Sequence, residues 1–320
     1  MPSQSGLVSR QERIESLLVG AVDLHCHSGP SVMPRSLDHI EALYEAANAG
    51  FSGMLIKDHY YSATPITELL TKQFGHLGVK LFSGVPLNNA TGGFNIHAVD
   101  HGIALGARLV WMPTFTAKNH IDHNARAGGF PHTTKELIEP DPLTVLDTNG
   151  RIIDAVKPIL DLIAKHDLVL SGGHLHITEI FPLFEEARAR GVKRFLVNHP
   201  TFLIDASLDD IRTLTGMGVY VEHSFCMFIE IQRGKPPMRD PQELRELITA
   251  GTVERTILAS DLGQVNNDRP VDGFRSIMGT CIDLGYSDDQ IRQMTSRNAA
   301  DLIGLDLDAI AVGRQRVAAE

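Results

Sequence analysis

Apolar, β-prone runs alternate with amphipathic helical patterns along almost the whole chain. Eight such runs predict strands at residues 21–27, 53–59, 79–85, 107–113, 168–174, 193–199, 218–223 and 256–261. Several of the stretches between them have apolar residues at helical spacing and end at glycine, a common helix stop. Eight strand–helix units predict parallel strands that close into a (β/α)8 TIM-like barrel. An open doubly wound sheet is the alternative, but the glycine-rich phosphate loop typical of that fold does not follow the first predicted strand.

One segment is too long for a simple connection between a strand and a helix. Residues 115–150 follow the fourth predicted strand, and long loops of this kind are usually functional. We therefore predict a lid over the barrel mouth, with a hairpin turn at its DTNG sequence. The barrel domain is predicted over residues 21–305, with an N-terminal helical segment at 1–20 and a C-terminal tail at 306–320.

Composition narrows the classes of partner. The chain has 29 lysines and arginines against 39 aspartates and glutamates, a formal charge of −10, and no basic stripe, so no nucleic-acid partner is expected. The N-terminus does not have the apolar core of a signal peptide, and no apolar run has the length of a membrane span. Three cysteines without metal or disulfide spacing agree with a reducing compartment. We expect a cytoplasmic protein that acts on a small molecule and self-associates as a homo-oligomer.

The first predicted strand ends with two histidines separated by one residue. Side chains alternate along a strand, so His25 and His27 share one face and Cys26 takes the other, packing face. In a barrel the shared face is the interior, and the carboxyl ends of the strands are where chemistry takes place. A divalent metal ion would give both imidazoles a partner. The H-x-H pattern alone is equally compatible with a structural role.

Three other predicted strands also end with residues of metal-ligand type. His174 ends the fifth, His199 ends the sixth and Asp261 ends the eighth. Imidazole nitrogens and a carboxylate at one rim suit Zn²⁺, with Mn²⁺ or Fe²⁺ as alternatives. The coincidence at four strand ends indicates a metal site more strongly than any single motif does.

This pattern resembles the amidohydrolase superfamily of metal-dependent barrel enzymes. Its members carry H-x-H on the first strand, histidines on the fifth and sixth strands and an aspartate on the eighth. The closing NAADLIGL sequence is also similar to the end of the superfamily barrel. The resemblance implies one or two divalent ions and a metal-activated water that hydrolyses an amide, cyclic amide, lactone or ester bond. Asp261 would be both ligand and proton carrier. The ligand positions are occupied here by His25, His27, His174, His199 and Asp261.

The fourth predicted strand departs from the superfamily pattern. Many members with two metal ions carry a carboxylated lysine there, whereas this strand ends LVWMPT. The second predicted strand instead ends LIKDH, which places Lys57 beside the H-x-H. It is a relocated carboxylated bridge between two ions, a free ammonium that holds a substrate carboxylate, or a structural lysine that reaches out to solvent.

Three other classes of function stay open. Some relatives in the superfamily decarboxylate or hydrate small acids, and a cationic Lys57 would favour such a lyase. Asp58 and His59 also resemble part of the polymerase and histidinol phosphatase family of three-metal phosphoesterases, although the later motifs of that family do not occur here. The third class is a metal-binding scaffold without catalysis.

Four further residues are candidates with a structural alternative each. His223 or Lys57 could stabilise an oxyanion, but His223 could equally be a rim histidine. Arg35 could hold an anionic substrate group or form an exposed salt bridge. Trp111 is either pocket wall or barrel core, and His176 is a substrate-binding residue at the rim or could exchange ligand roles with His174. Three histidines of the insertion are expected to face water: His120, His123 and His132.

Overall fold

The computed structural model describes residues 9–127 and 133–312 and contains eight parallel strands. They pair with one another in chain order, β1 to β8. Every predicted strand is present, and the predicted (β/α)8 TIM-like barrel is confirmed. The strands are β1 (Val22–Cys26), β2 (Gly53–Ile56), β3 (Lys80–Pro86), β4 (Leu109–Trp111), β5 (Val169–Ser171), β6 (Arg194–Asn198), β7 (Tyr220–Ser224) and β8 (Thr256–Ala259).

Several of the helices begin at a side-chain cap. The Asp38 side chain accepts from backbone N–H groups at the start of α2, and the Glu41 carboxylate accepts from the Asp38 N–H. Together they form a capping box. The α-helices in the described ranges are α1 (Arg10–Leu18), α2 (His39–Asn48), α3 (Thr64–Phe74), α4 (Ile96–Ala104), α5 (Lys118–Ala127), α6 (Lys157–Lys165), α7 (Ile177–Ala189), α8 (Leu208–Gly216), α9 (Pro241–Gly251), α10 (Pro270–Asp283), α11 (Asp288–Arg292) and α12 (Asn298–Ile303).

The barrel closes where its first and last strands meet. The Asp261 N–H donates to the His25 carbonyl at 2.8 Å, and the His27 N–H donates to the Leu262 carbonyl at 2.8 Å. These bonds continue the parallel pairing past the end of β8, with a bridge between Cys26 and Leu262. Closure therefore brings residues more than 230 positions apart in the chain to one point of the rim.

Two apolar layers hold the barrel. The interior is filled by alternate strand side chains such as Leu24, Leu109 and Trp111, all buried. A second and larger layer lies between the strands and the surrounding helices, and Cys26 belongs to it. Trp111 is thus barrel core, the structural one of its two predicted alternatives, and it does not line the cavity at the carboxyl ends of the strands.

The insertion after β4 packs back onto the barrel. Ala117 pairs with Leu143, and Leu146 pairs with Ile152 across a tight turn. In that turn the Gly150 N–H donates to the Asp147 carbonyl at 3.0 Å, so the predicted hairpin turn is confirmed. Residues 128–132, which include His132, lie outside the described residues. That the insertion closes over the mouth as a lid stays a prediction.

The N-terminal helix packs outside the barrel. Its apolar side is buried, and Arg10 forms an ion pair with Asp283 of α10 at 2.7 Å. Residues 307–312 are helical, whereas 1–8 and 313–320 lie outside the described ranges. In those ranges, no helix combines the length and apolarity needed to span a membrane.

Candidate metal centre

Three side chains converge at the closure point of the barrel. The Nε2 atoms of His25 and His27 lie 3.2 and 3.1 Å from Oδ1 of Asp261. One donor atom of each residue lies within 4.8 Å of the other two, a spacing that a single metal ion can span. Both histidines are almost fully buried. This triad is half of the six-residue ligand set predicted from the sequence.

Local backbone features place the triad. The β1–β2 register shifts between Asp23 and Cys26, an irregularity that re-aims the end of β1. The Asp23 carboxylate then ties β1 to β8, since it accepts from the Ser260 hydroxyl at 2.6 Å and from the His25 N–H at 3.0 Å. Asp261 itself adopts a left-handed backbone, with φ of 52°, which turns the chain sharply at the strand end.

Partners on the far side of each imidazole set the direction of its free nitrogen. Nδ1 of His25 lies 2.7 Å from Oε1 of Glu222, and Nδ1 of His27 lies 2.9 Å from the Lys57 carbonyl. With the proton on Nδ1, each Nε2 presents a lone pair to the cavity. Burial lowers the pKa of both histidines to about 3, so they are neutral, as metal ligands must be.

The donor set of the triad fits a divalent cation. It combines two neutral imidazole nitrogens with one carboxylate oxygen, a combination typical of zinc and related ions. Burial by itself would raise the pKa of Asp261, but the neighbouring His25 and His27 hold the pKa well below its ordinary value. The carboxylate is therefore ionised and able to bind an ion.

Glu222 is a site residue that the sequence did not indicate, whereas its neighbour His223 was predicted to act in the site. Tyr220 and Glu222 of β7 face the barrel interior, so by strand alternation His223 faces the helices. His223 does not line the cavity that holds the triad. The predicted oxyanion role of His223 is therefore wrong, because its side chain lies on the face of β7 that points away from the cavity. A glutamate inside the apolar YVEHS run was the available signal.

We expect Glu222→Gln to weaken zinc binding by about tenfold to a hundredfold, the usual effect of losing a carboxylate behind a ligand histidine. The glutamine keeps the volume, but its amide removes the charge that favours the proton on His25 Nδ1. The measurement is zinc affinity by competition with a chromophoric chelator. Glu254→Gln is the control, since Glu254 lies in the short 3₁₀ turn Val253–Arg255, outside the cavity. Equal affinities for Glu222→Gln and the wild type would contradict this role.

Lys57 points at the triad. Its side chain is only 1% exposed, and its Nζ lies 2.9 Å from His25 Nε2 and 5.6 Å from the centre of the Trp111 ring. The interpretation as a lysine that reaches out to solvent is wrong, because the surrounding barrel core leaves no path for the amine. Burial lowers the pKa of Lys57, opposed by the nearby carboxylates of Asp261 and Glu222. Carboxylated bridge and free ammonium both stay open.

His174 and His199 line the same cavity as the triad without joining its tight group. Their ring centres are 4.9 Å apart, and the His199 ring is 6.1 Å from that of His25. Their predicted role as ligands, and with it a second ion, stays a prediction. His199 shares with Asp261 a left-handed backbone, with φ of 32°.

His120 was expected to face water, and that expectation is wrong. It is buried, and its Nδ1 lies 2.7 Å from Nδ1 of His174. The cause is the packing of α5 against the loops that follow β5 and β6, where the Asn119 side chain donates to the carbonyls of His174 and Leu203. His123 is half-buried, with its ring 6.1 Å from Phe202.

The cavity around the triad has a volume of about 220 Å³. His59 forms part of its wall, with Nδ1 bonded to Thr114 at 2.8 Å and its ring stacked on Phe115 at 3.7 Å. The lining residues are His25, His27, Met33, Arg35, His59, Phe115, His120, Asn124, His174, His199, Phe202, Leu203, Asp261 and Gln264.

The two predicted substrate-binding residues outside the core differ in placement. Arg35 lines the cavity, and its side chain is only 4% exposed, beside Asp58, so the exposed salt bridge weighed for it is wrong. His176 is not brought to the cavity. Its imidazole caps α7 by accepting from the Thr178 N–H, and it lies 3.5 Å from the Asp205 carboxylate. A role for His176 in substrate binding has no support from this geometry.

The barrel with its rim triad has the fold of the amidohydrolase superfamily, as the sequence resemblance indicated. A solved amidohydrolase from Pseudomonas aeruginosa superposes with a TM-score of 0.62 at 10% identity, over 92% of this chain and 98% of that one. A 2,6-dihydroxybenzoate decarboxylase from Rhizobium gives 0.55 at 11% identity, over 90% and 99%. An N-acetyl-D-glucosamine-6-phosphate deacetylase from Mycobacterium smegmatis gives 0.54 at 12%, over 90% and 76%.

In sequence, residues 20–222 match the model of a protein family described as a family of unknown function, DUF6282. The chain belongs to this family. No curated protein matches it in sequence. The family therefore gives no activity, and the solved structures, at 10–12% identity, show the fold alone.

Proposed function

We propose that this protein is a metal-dependent hydrolase that acts on an amide, cyclic amide, lactone or ester bond of a small molecule. The observation that carries the proposal is the convergence of His25, His27 and Asp261 within 4.8 Å at the carboxyl ends of the strands. In TIM barrels this is the end where active sites lie. The amidohydrolase and deacetylase folds named above support the reaction type by analogy.

The chain's own residues divide the work. His25, His27 and Asp261 would hold a divalent ion, with His174 and His199 available to a second. When bound, such an ion supplies activation of a water molecule and polarisation of a carbonyl group. Asp261 accepts the proton of the attacking water and delivers it to the leaving nitrogen or oxygen as the carbon–heteroatom bond breaks. The buried walls around His59 and Phe115 limit the access of other water.

Chelation is the direct test of this proposal. We expect the zinc-loaded protein to hydrolyse at least one member of a panel of small amides, cyclic amides, lactones and esters. Treatment with a chelator should reduce that rate to background, because the neutral imidazoles alone do not activate water. Adding back Zn²⁺, Mn²⁺ or Fe²⁺ should restore it and identify the preferred ion. A rate that survives full metal removal would refute a metal-dependent reaction.

A decarboxylase is the second candidate. The Arg35 guanidinium lines the cavity of the triad, and Lys57, as a free ammonium, would add a second positive charge beside His25; both would favour an acidic substrate. In that reaction the bond between carbon and the carboxylate breaks, CO₂ leaves, and the electron pair left on the carbon takes a proton that comes from water and is relayed by the Asp261 carboxylate. The decarboxylase from Rhizobium has the same fold. Measurement of released CO₂ separates this candidate from the hydrolase.

The remaining classes have less support. The phosphoesterase reading needs Asp58 near the ions, but Asp58 contacts Arg35 at 3.5 Å and accepts from the Tyr60 N–H at 2.8 Å. A scaffold without catalysis would bind metal in the chelation experiment and turn over no substrate. Whether Lys57 is carboxylated can be read from a ¹³C NMR carbamate signal after incubation with labelled bicarbonate.

A further inference from the structure

Arg35 is placed against the cavity by the loop that follows β1. Its backbone pairs with Gln264, in the loop after β8, so the two loops that flank the closure point of the barrel hold it in place. Its side chain is only 4% exposed and lines the same cavity as His27 and Asp261. A guanidinium is thus buried next to the candidate reaction centre.

The donors of this guanidinium are poorly satisfied. Its Nη2 has two contacts, to Asp58 Oδ2 and to Ser31 Oγ, both at the long distance of 3.5 Å. Its Nε is buried, and no acceptor for it exists in the described part of the chain. Buried N–H groups of a charged side chain are costly without acceptors. A bound group with two acceptor oxygens would satisfy the planar fork, and carboxylates match this geometry.

A second orphan donor lines the same cavity from the insertion. Asn124 lies on α5, and its Nδ2 is buried without a hydrogen-bond acceptor among residues 9–127 and 133–312. Because the Asn119 side chain ties α5 to the carbonyls of His174 and Leu203, this amide has a defined position. The cavity therefore offers a polar donor to a second oxygen of the same occupant.

The charges around the cavity favour a carboxylate over a phosphate. Asp58 already balances part of the Arg35 charge, and the Asp261 carboxylate lines the same cavity. In the metal-free protein, both carboxylates would repel a dianionic phosphate more strongly than a monoanion. The walls also include apolar side chains that suit a hydrophobic body: Met33, Phe115, Phe202 and Leu203. The volume of about 220 Å³ is below the range usual for drug-sized ligands, so the occupant is small.

We propose that the substrate is a small monocarboxylic acid with an apolar body, whose carboxylate is bound by Arg35 and whose second polar oxygen is bound by Asn124. This proposal rests on the proposed function in one respect: both assume that the cavity around the triad is the active site. Binding of the acid needs no turnover, so it can be tested separately from the reaction.

The test measures binding of benzoate, benzamide and phenyl phosphate to the zinc-loaded protein by calorimetry. For Arg35→Gln we expect benzoate affinity to fall roughly tenfold to a hundredfold, the usual worth of hydrogen bonds to a charged group. Arg35→Lys should fall by less, because it keeps the charge and loses the fork. Benzamide should bind more weakly than benzoate to the wild type and change little in the variants. Arg108→Gln, an exposed arginine before β4, is the matched control.

Three results would overturn the carboxylate site: benzoate affinity unchanged in Arg35→Gln, benzamide bound as tightly as benzoate by the wild type, or phenyl phosphate bound more tightly than benzoate by the metal-free wild type. The last two use the wild type alone, so they decide the matter even where a variant does not fold. Repeating the benzoate titration after metal removal separates the two proposals. Benzoate binding that depends on Arg35 in the metal-free protein supports the site even where no hydrolysis or decarboxylation is found.

Discussion

Replacing His27 with alanine is expected to lower the zinc affinity of this protein roughly 10²- to 10³-fold. Structural zinc sites with four ligands bind with about 10–16 kcal/mol, which is about 2.5–4 kcal/mol per ligand. His27 provides one of only three donors that converge in the triad, and its Nε2 is aimed by the Lys57 carbonyl behind it. Alanine removes the donor, and no other side chain of the triad can take its place.

The measurement is metal content by mass spectrometry after equilibration with zinc and a competing chelator. His97→Ala is the matched control, because His97 is exposed on α4 and does not line the cavity. It should bind zinc as the wild type does. Circular dichroism checks that both variants are folded. Wild-type stoichiometry and affinity in His27→Ala would show that zinc does not bind at the triad, and the hydrolase proposal would lose its foundation.

The strands could be predicted because their sequence pattern is local. Each is a short apolar run bounded by polar or glycine-rich segments, and all eight predicted runs overlap an observed strand. The ends differ by a few residues, as at β5, which is predicted to reach His174 but ends at Ser171. Beyond Ser171 the chain forms a turn that contains two glycines. The His174 N–H donates to the Pro113 carbonyl there, and the strand pairing does not continue.

The triad could be predicted for a different reason. Once eight units imply a closed barrel, the first and last strands must be neighbours, so the H-x-H of β1 and Asp261 must meet at the rim. Topology alone supplies that contact. Topology does not fix the distances between side chains at the rim. It therefore predicts His174 and His199 as ligands together with the triad, although they lie outside its 4.8 Å spacing.

The remaining site residues depend on packing that no local pattern encodes. His120 is buried because α5 packs against the loop that follows β5, and Arg35 is buried because its loop pairs with Gln264. Neither event leaves a periodic signal in the sequence. Whether Glu222 or His223 faces the barrel interior depends on the register of β7, since a shift of one residue exchanges the two faces of a strand.

Replacing Gly84 with alanine is expected to destabilise the protein by about 3 kcal/mol, at the upper end of the usual cost of overpacking. Gly84 of β3 pairs with Leu109 of β4. A Cβ at this position would lie 2.2 Å from the Leu109 carbonyl oxygen and 2.8 Å from Cζ3 of Trp111. The first contact is with backbone, so a change of rotamer cannot relieve it, and the two strands must move apart.

The measurement is the free energy of unfolding by chemical denaturation, with Gly216→Ala as control. Gly216 lies in α8 with open space around its Cα and should be neutral or up to about 1 kcal/mol more stable as alanine. Trp111→Leu in the Gly84→Ala background should recover only part of the loss, since it removes the indole contact and leaves the carbonyl contact. A Gly84→Ala protein as stable as the wild type would mean that β3 and β4 have more freedom than this packing allows.

The Nζ of Lys57 lies 5.6 Å from the centre of the Trp111 ring, so any shift of the indole is also expected to reach the lysine that contacts His25. The packing of one glycine thus supports the geometry of the candidate metal centre.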